Sequence, residues 1–246
     1  MENKIYGLIG AKLGHSFSRD FFNNKFAKEG ISAEYHNYEI ENINEINDII
    51  DSGVCGLNVT IPYKEQVISF LDETDSIAAR IGAVNVIKII RKGSKIKTIG
   101  YNSDIIGFTE SIRPLTESYH KNALILGTGG ASKAVAEGLK LLNISSLLVS
   151  RTKKENAITY SDITADLMKD YKIIINTTPL GMFPNIDTCP SIPYEFLGDK
   201  HLCYDLTYNP EETKFLKLSH ENGAKTKNGS EMLIIQALES WRIWNM

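Results

Sequence analysis

"ALILGTGGASKAVAEGLKLL", residues 123–142, decides how the rest of the chain is read. It opens with an apolar run suited to a buried strand, breaks at Gly127, Gly129 and Gly130, and resumes with apolar residues at helical spacing. A strand, a glycine turn and a helix in that order is what a phosphate-binding loop needs. Glycine lets the backbone turn tightly and come close to an anion, and the first helical turn presents N–H groups that have no partner inside the helix. A plain strand-to-helix turn carries the same glycines. The weight therefore rests on context, since the turn follows an apolar strand and opens a helix.

The next strand lies in "SSLLVSRTKK" (145–154) and ends about 20 residues after the turn, where NAD enzymes place an acid for the ribose 2′-hydroxyl. No acid stands there. Arg151, Lys153 and Lys154 supply positive charge suited to a 2′-phosphate, which favours NADP over NAD, although a basic turn is also a common solvated surface. "KIIINTTP" (172–179) and "HLCYDLTY" (201–208) continue the strand pattern, and strands alternating with helices imply a parallel sheet. "SEMLIIQALESWRIW" (230–244) closes the chain as one amphipathic helix, whose Trp241 and Trp244 serve either a core or an interface.

The preceding half is also α/β. "KIYGLIG", "AEYHNYEI" and "CGLNVTI" read as strands, "SRDFFNNKFAKEG" and "INEINDII" as helices, and "AVNVIKII" with "KTIGYN" as a hairpin around "RKGSK". Pro62 stands where a first helical position tolerates proline, so "PYKEQVISFL" (62–71) is expected to be a helix. Just before it, "GLNVTIPYK" (56–64) offers an amide, a hydroxyl and an ammonium in Asn58, Thr60 and Lys64, as if to hold a polar molecule. Ser16 and Ser18, two residues apart, can both donate to one carboxylate from an extended loop, while Ser18 is equally placed to cap the helix that follows. Asn85 reads as a buried amide or a ligand contact, and Asp104 as a ligand contact or a helix cap.

Composition sets the outer limits. A chain of 246 residues can hold two domains, each with its own core, and 42% apolar with 23% charged residues is ordinary for a globular protein. The formal charge of −3, with scattered basic residues, argues against a nucleic-acid partner. Cys55, Cys189 and Cys203 are odd in number and lack CxxC spacing, so they are expected to be reduced, mostly buried thiols, and no metal is expected. No apolar run reaches the roughly 20 residues of a membrane span, and "MENKIYGLIG" lacks the features of a signal peptide. A cytoplasmic location is expected.

In order and approximate spacing, "GHSFS", "GLNVTIPYK", "GAVNV", "GYNSD", "GTGGAS", "SRT", "NTTPLGM", "YDLTYNP" and "NGSEMLIIQA" are similar to the motifs of shikimate dehydrogenases, and together they span nearly the whole chain. The resemblance implies an N-terminal α/β substrate domain (1–103, joined by 229–246) and a Rossmann-like NADP-binding domain (104–228), with the C-terminal helix returning to the first. It implies reversible NADPH-dependent reduction of 3-dehydroshikimate to shikimate, a step of aromatic amino acid biosynthesis. Lys64 matches the family's catalytic lysine, and Asp104 its partner aspartate and substrate contact. Ser16 and Ser18 match the carboxylate-binding serines, joined by Tyr208. Thr60, Asn85 and Gln236 match further substrate contacts. Gly127, Thr128, Gly129, Gly130 and Ala131, then Ser150, Arg151 and Thr152, match the cofactor contacts, with Leu206 and Gly229 near the nicotinamide end. The implied partner is a small-molecule substrate, with the chain a monomer or homodimer.

The chain also departs from the family pattern. Arg19 and Phe22 replace the usual proline and histidine after the second serine, and Ile105 a frequent glycine; these are expected to alter packing more than the reaction. In the cofactor clamp, Ser150 replaces an asparagine and Glu155 falls where a second arginine is usual, so Glu155 would repel a 2′-phosphate unless Lys153 or Lys154 compensates. A quinate/shikimate dehydrogenase using NAD and a non-catalytic ligand-binding relative are the competing readings.

Overall fold

A computed structural model describes residues 3–14 and 16–246; His15 of the "GHSFS" segment lies outside the described residues. The chain divides into two compact units, Met1–Ser103 with Gln236–Met246, and Asp104–Ile235. The first contains β1 (Lys4–Gly10), α1 (Phe17–Glu29), β2 (Ala33–Glu39), α2 (Ile46–Asp51), β3 (Gly56–Val59), β4 (Glu73–Thr74), α3 (Ser76–Ile81), β5 (Val86–Lys92) and β6 (Lys95–Tyr101). Its sheet runs β2-β1-β3-β5-β6-β4. β1 lies parallel to β2 and β3, and the β5–β6 hairpin adds to β3 antiparallel.

Alternation along these strands separates two cores, because successive side chains leave opposite faces. Ile9, Leu57, Val59 and Ile87 pack with Ile46, Ile50 and Val67. Tyr6 and Val86 pack on the other face with Phe22, Phe26, Tyr35 and Trp244. Trp244 stacks on Tyr6 at 4.8 Å between ring centroids and donates its indole N–H to the Ile87 carbonyl at 3.1 Å, so it is a core residue. Phe22 stacks on Tyr35 at 4.8 Å, so this departure from the family pattern is also absorbed in a core.

The second unit contains α4 (Asp104–Ile112), β7 (Asn122–Leu126), α5 (Gly130–Leu141), β8 (Ser145–Ser150), β9 (Ala157–Thr159), α6 (Ala165–Asp170), β10 (Ile173–Asn176), β11 (Leu202–Asp205), α7 (Lys214–Glu221), β12 (Lys225–Lys227) and the start of α8 (Ser230–Asn245), which ends in the first unit. All its strand pairs are parallel, in the order β12-β11-β10-β7-β8-β9. The middle strands are buried on both faces, as a helix-covered parallel sheet requires. Strand order reverses between β7 and β10, which makes the carboxyl ends of these two strands the switch point where such sheets bind ligands.

One expected helix is absent. Residues 61–65 form turns and only Gln66–Phe70 winds into a 3₁₀ helix. In an α-helix the Lys64 carbonyl would accept from Ile68. Instead it accepts from Val84 N–H at 2.8 Å, and Ile68 N–H turns back to Glu65. Two of the three free cysteines, Cys55 and Cys189, are half-buried, and Cys203 is buried. Among the described residues no helix is long and apolar enough to cross a membrane.

Two buried histidines fasten the amino ends of the second sheet's strands. In each, Nδ1 accepts a backbone N–H, from Glu117 to His120 at 2.9 Å and from Gly198 to His201 at 3.0 Å. Nε2 then donates to a carbonyl, of Lys200 at 3.1 Å and of Met168 at 2.9 Å, which selects the neutral Nε2–H tautomer. Burial pushes both pKa values down. A histidine with a depressed folded pKa contributes fully above its unfolded value near 6.5, and that contribution is lost as pH falls toward the folded value. Unfolding free energy is therefore expected to be flat from pH 8 to 7 and to fall below about 6.5. In urea titrations His201→Gln should flatten that fall; an unchanged slope would show that His201 is not neutral in the fold.

Candidate functional site

In the first unit the candidate residues gather around the carboxyl end of β3. Asn85, buried, sits at the centre. Its Oδ1 accepts from Ser103 N–H at 2.7 Å, its Nδ2 donates to Ser103 Oγ at 3.1 Å and reaches Gln236 Oε1 at 3.5 Å. Its main-chain carbonyl accepts from Val59 N–H at 2.9 Å and from Asn58 Nδ2 at 3.2 Å. Asn58 Nδ2 also donates to Ser240 Oγ at 2.9 Å, and Asn58 Oδ1 accepts from Tyr35 Oη at 2.8 Å. The end of β3, the start of β5, the exit of β6 and the inner face of α8 are thus tied through one chain of polar groups.

That chain leaves Thr60 and Lys64 in defined places. Thr60 continues β3 with its N–H on the Ile9 carbonyl at 2.9 Å, and its carbonyl accepts from Tyr63 N–H at 3.0 Å. Its hydroxyl makes no hydrogen bond among the described residues. Lys64 is half-buried, and its backbone is anchored by Val84, the residue before Asn85. Ser16 and Ser18 differ from the expected extended pair. Ser16, not Ser18, is the N-cap of α1, accepting from Arg19 N–H at 3.3 Å, and Ser18 lies in the first helical turn. Burial pushes the Tyr35 phenol up, opposed by a hydrogen bond with the Ser18 hydroxyl. Capping uses a lone pair of Ser16, so its O–H still has a proton to donate.

The second unit places its candidates at the switch point. Gly127 follows β7 at φ 112°, and a Cβ there would meet Thr177 Oγ1 at 2.7 Å, so only glycine fits. Thr177 is itself fixed, donating both its N–H and its hydroxyl to the Leu126 carbonyl. α5 begins behind Gly129 with no side-chain cap among the described residues, and a Cβ on Gly129 would meet only open space. Gly130 and Ala131 form its first turn. Ser150 is buried at the end of β8, and its Oγ accepts from Thr152 N–H at 3.4 Å. Arg151 and Thr152 are exposed. Lys154 crosses to the glycine turn and donates to Thr128 Oγ1 at 2.8 Å.

Asp205, buried at the end of β11, organises the segment that follows. It accepts from Thr213 Oγ1 at 2.7 Å, Thr207 N–H at 3.0 Å and Asn176 Nδ2 at 3.1 Å. Burial raises its pKa, opposed by these donors, with Thr213 the largest. The segment carries Leu206 and the partly exposed Tyr208. Gly229 passes directly against Leu206, and a Cβ there would overlap the Leu206 carbonyl. Asp104 is buried as the first residue of α4. Among the described residues no group of three or more His, Cys, Asp or Glu side chains is placed to hold a metal ion.

A family model described as the shikimate dehydrogenase substrate binding domain matches residues 8–87. A shikimate dehydrogenase (NADP⁺) of Methanosphaera stadtmanae is 38% identical over 98% of this chain and 90% of its own length. The chain belongs to the shikimate dehydrogenase family. A solved shikimate dehydrogenase in complex with NADP⁺ is 36% identical with a TM-score of 0.85, covering 98% of this chain and 90% of its own. A Thermus thermophilus shikimate 5-dehydrogenase in complex with NADP(H) and shikimate is 25% identical with a TM-score of 0.85, covering 98% and 93%.

Sequence reading of this family member missed Ser103, Ser240, Asp205 and the Lys154–Thr128 contact. Ser240 acts across 182 positions from Asn58, with nothing local to signal it. Because Asn85 satisfies several buried groups at once, Asn85→Ala is expected to destabilise the protein by about 2–4 kcal/mol, each orphaned buried group costing about 1–3. Urea unfolding measures this; a loss under about 0.5 kcal/mol would mean that the amide does not hold these elements together.

Proposed function

We propose that this protein catalyses the reversible NADPH-dependent reduction of 3-dehydroshikimate to shikimate. Membership of the family supplies the reaction, and the observation that carries it to this chain is the retention of Thr60, Lys64 and Asn85 in one backbone-anchored group at the end of β3. The second unit fits a dinucleotide: an uncapped helix start behind Gly129, a glycine with open space before it, and a turn at Gly127 that tolerates no Cβ.

NADPH, when bound, supplies the hydride. Reducing a carbonyl develops negative charge on its oxygen, and Lys64 meets that charge by donating a proton from Nζ; in the oxidative direction neutral Nζ takes it back. Asp104 is assigned the second role at the reacting oxygen. Thr60, Asn85 and Gln236 are assigned to the ring hydroxyls, where donors and acceptors left unpaired would reject analogues that lack them. Ser16, Ser18 and Tyr208 are assigned to the substrate carboxylate. Ser16 serves as cap and donor together, since the two uses draw on different parts of one hydroxyl. Gly127, Thr128, Gly129, Gly130 and Ala131, with Ser150, Arg151 and Thr152, are assigned to the nucleotide, and Leu206 and Gly229 to its nicotinamide end. Cytoplasmic action, as a monomer or homodimer, completes the proposal.

Lys64→Ala is expected to lower kcat for shikimate oxidation by roughly 10²- to 10⁴-fold, with a smaller effect on KM. Steady-state rates followed by absorbance of the reduced nicotinamide check this. A variant with normal kcat would remove Lys64 from the chemistry, and a wild-type protein without turnover would remove the proposal.

A further inference from the structure

Asp205 is a buried carboxylate that the proposed chemistry leaves unused, and among the described residues no cation pairs with it. Its two oxygens instead take three donors from three segments. Oδ2 accepts from Thr213 Oγ1 at 2.7 Å, and Oδ1 from Thr207 N–H at 3.0 Å and Asn176 Nδ2 at 3.1 Å. A carboxylate suits this meeting point because both its oxygens only accept, whereas an amide would turn an NH₂ group toward some of these donors. Asn176, buried at the end of β10, is used just as fully. Its Oδ1 accepts from the N–H and the hydroxyl of Thr178 at 3.0 and 2.6 Å, and its Nδ2 also donates to the Leu180 carbonyl at 3.3 Å. The pair therefore closes the two loops that leave the carboxyl ends of β10 and β11.

Beyond the pair the loops lie against each other. Phe183 N–H donates to the Asn209 carbonyl at 3.1 Å, and a Cβ on Gly181 would meet Thr213 Cβ at 3.2 Å. Within this frame Leu206 and Tyr208 are held differently. Leu206 N–H donates to the Asn176 carbonyl at 3.0 Å and its own carbonyl lies against Gly229, contacts that do not use the Asp205 side chain. Thr207 instead donates its N–H to the Asp205 carboxylate, which thereby sets the turn from which Tyr208 leaves. We propose that Asp205, with Thr213 across the turn, is a positioning residue that presents Tyr208 to the substrate carboxylate. It acts through Thr207, not by its own contact with substrate. The inference rests on the assignment of Tyr208 to that carboxylate. It makes shikimate binding, more than hydride transfer or nucleotide binding, depend on this buried group.

The test is a double-mutant cycle of Asp205→Asn and Tyr208→Phe in shikimate oxidation with NADP⁺, with NADP⁺ affinity measured alongside by calorimetric titration of the full chain. Tyr208→Phe is expected to raise the shikimate KM roughly 10-fold, as for loss of a hydrogen bond to a charged group. Asp205→Asn should raise it about 5- to 20-fold, with kcat and the NADP⁺ Kd each within about 3-fold of wild type. In Tyr208→Phe protein, Asp205→Asn should raise KM by less than about 2-fold, because residues that act through one another are not additive. If Asp205→Asn does not fold, Thr213 carries the same cycle. Thr213→Val should raise KM about 5-fold alone and less than about 2-fold beside Tyr208→Phe, while Thr213→Ser, which keeps the hydroxyl, should stay within about 2-fold of wild type. Equal KM increases with and without the Tyr208 hydroxyl, an unchanged KM in Asp205→Asn or Tyr208→Phe, or a matched loss of kcat and NADP⁺ affinity would each overturn the assignment. A wild type that does not oxidise shikimate would remove the dehydrogenase reading and this assignment together, whereas normal oxidation with additive effects would sink Asp205 alone.

Discussion

The Asn85 amide, paired to Ser103 while its main-chain carbonyl takes Val59 and Asn58, is the constraint on which the first unit depends. A buried amide is costly unless every donor and acceptor finds a partner, and here the partners come from elements far apart in sequence. β3, β5, the exit of β6 and α8 must therefore come together in one arrangement. Thr60, Lys64 and Gln236 inherit their positions from it, Lys64 through the neighbouring Val84 and Gln236 directly. Site and core are stabilised by the same bonds, so a substrate would meet groups already fixed before it arrives.

The second unit reaches fixity differently, by close backbone approach. Gly127 lies against Thr177 and Gly229 against Leu206, and both contacts exclude a side chain. Asp205 then ties the carboxyl ends of β10 and β11 to the start of α7, while His120 and His201 secure the amino ends of the strands. The glycine turn thus sits on a rigid frame, and among the described residues no side chain caps the start of α5 behind it.

Much of this was legible in the sequence where the signal is local. The strand, glycine turn and helix of residues 123–142, the stop of α1 before Gly30, the β5–β6 hairpin and the closing helix all follow from periodicity and turn residues. What failed was decided at a distance. Pro62 favours a helix start, yet Val84 takes the Lys64 carbonyl that the helix would have needed. Ser16 and Ser18 do not form the extended pair their spacing suggests, because α1 begins at Phe17 and is capped by Ser16. Likewise, the basic run after β8 announces charge but not which ammonium reaches Thr128; that is Lys154, whose backbone is bridged to Ala157 across the turn at 155–156.

Oxidation of shikimate with NADP⁺ is tested by the initial rate of nicotinamide reduction with shikimate or quinate, each offered with NADP⁺ or NAD⁺. Shikimate with NADP⁺ is expected to give a far higher kcat/KM than the other three pairs. A higher kcat/KM for quinate or for NAD⁺, or binding of shikimate without turnover, would contradict it.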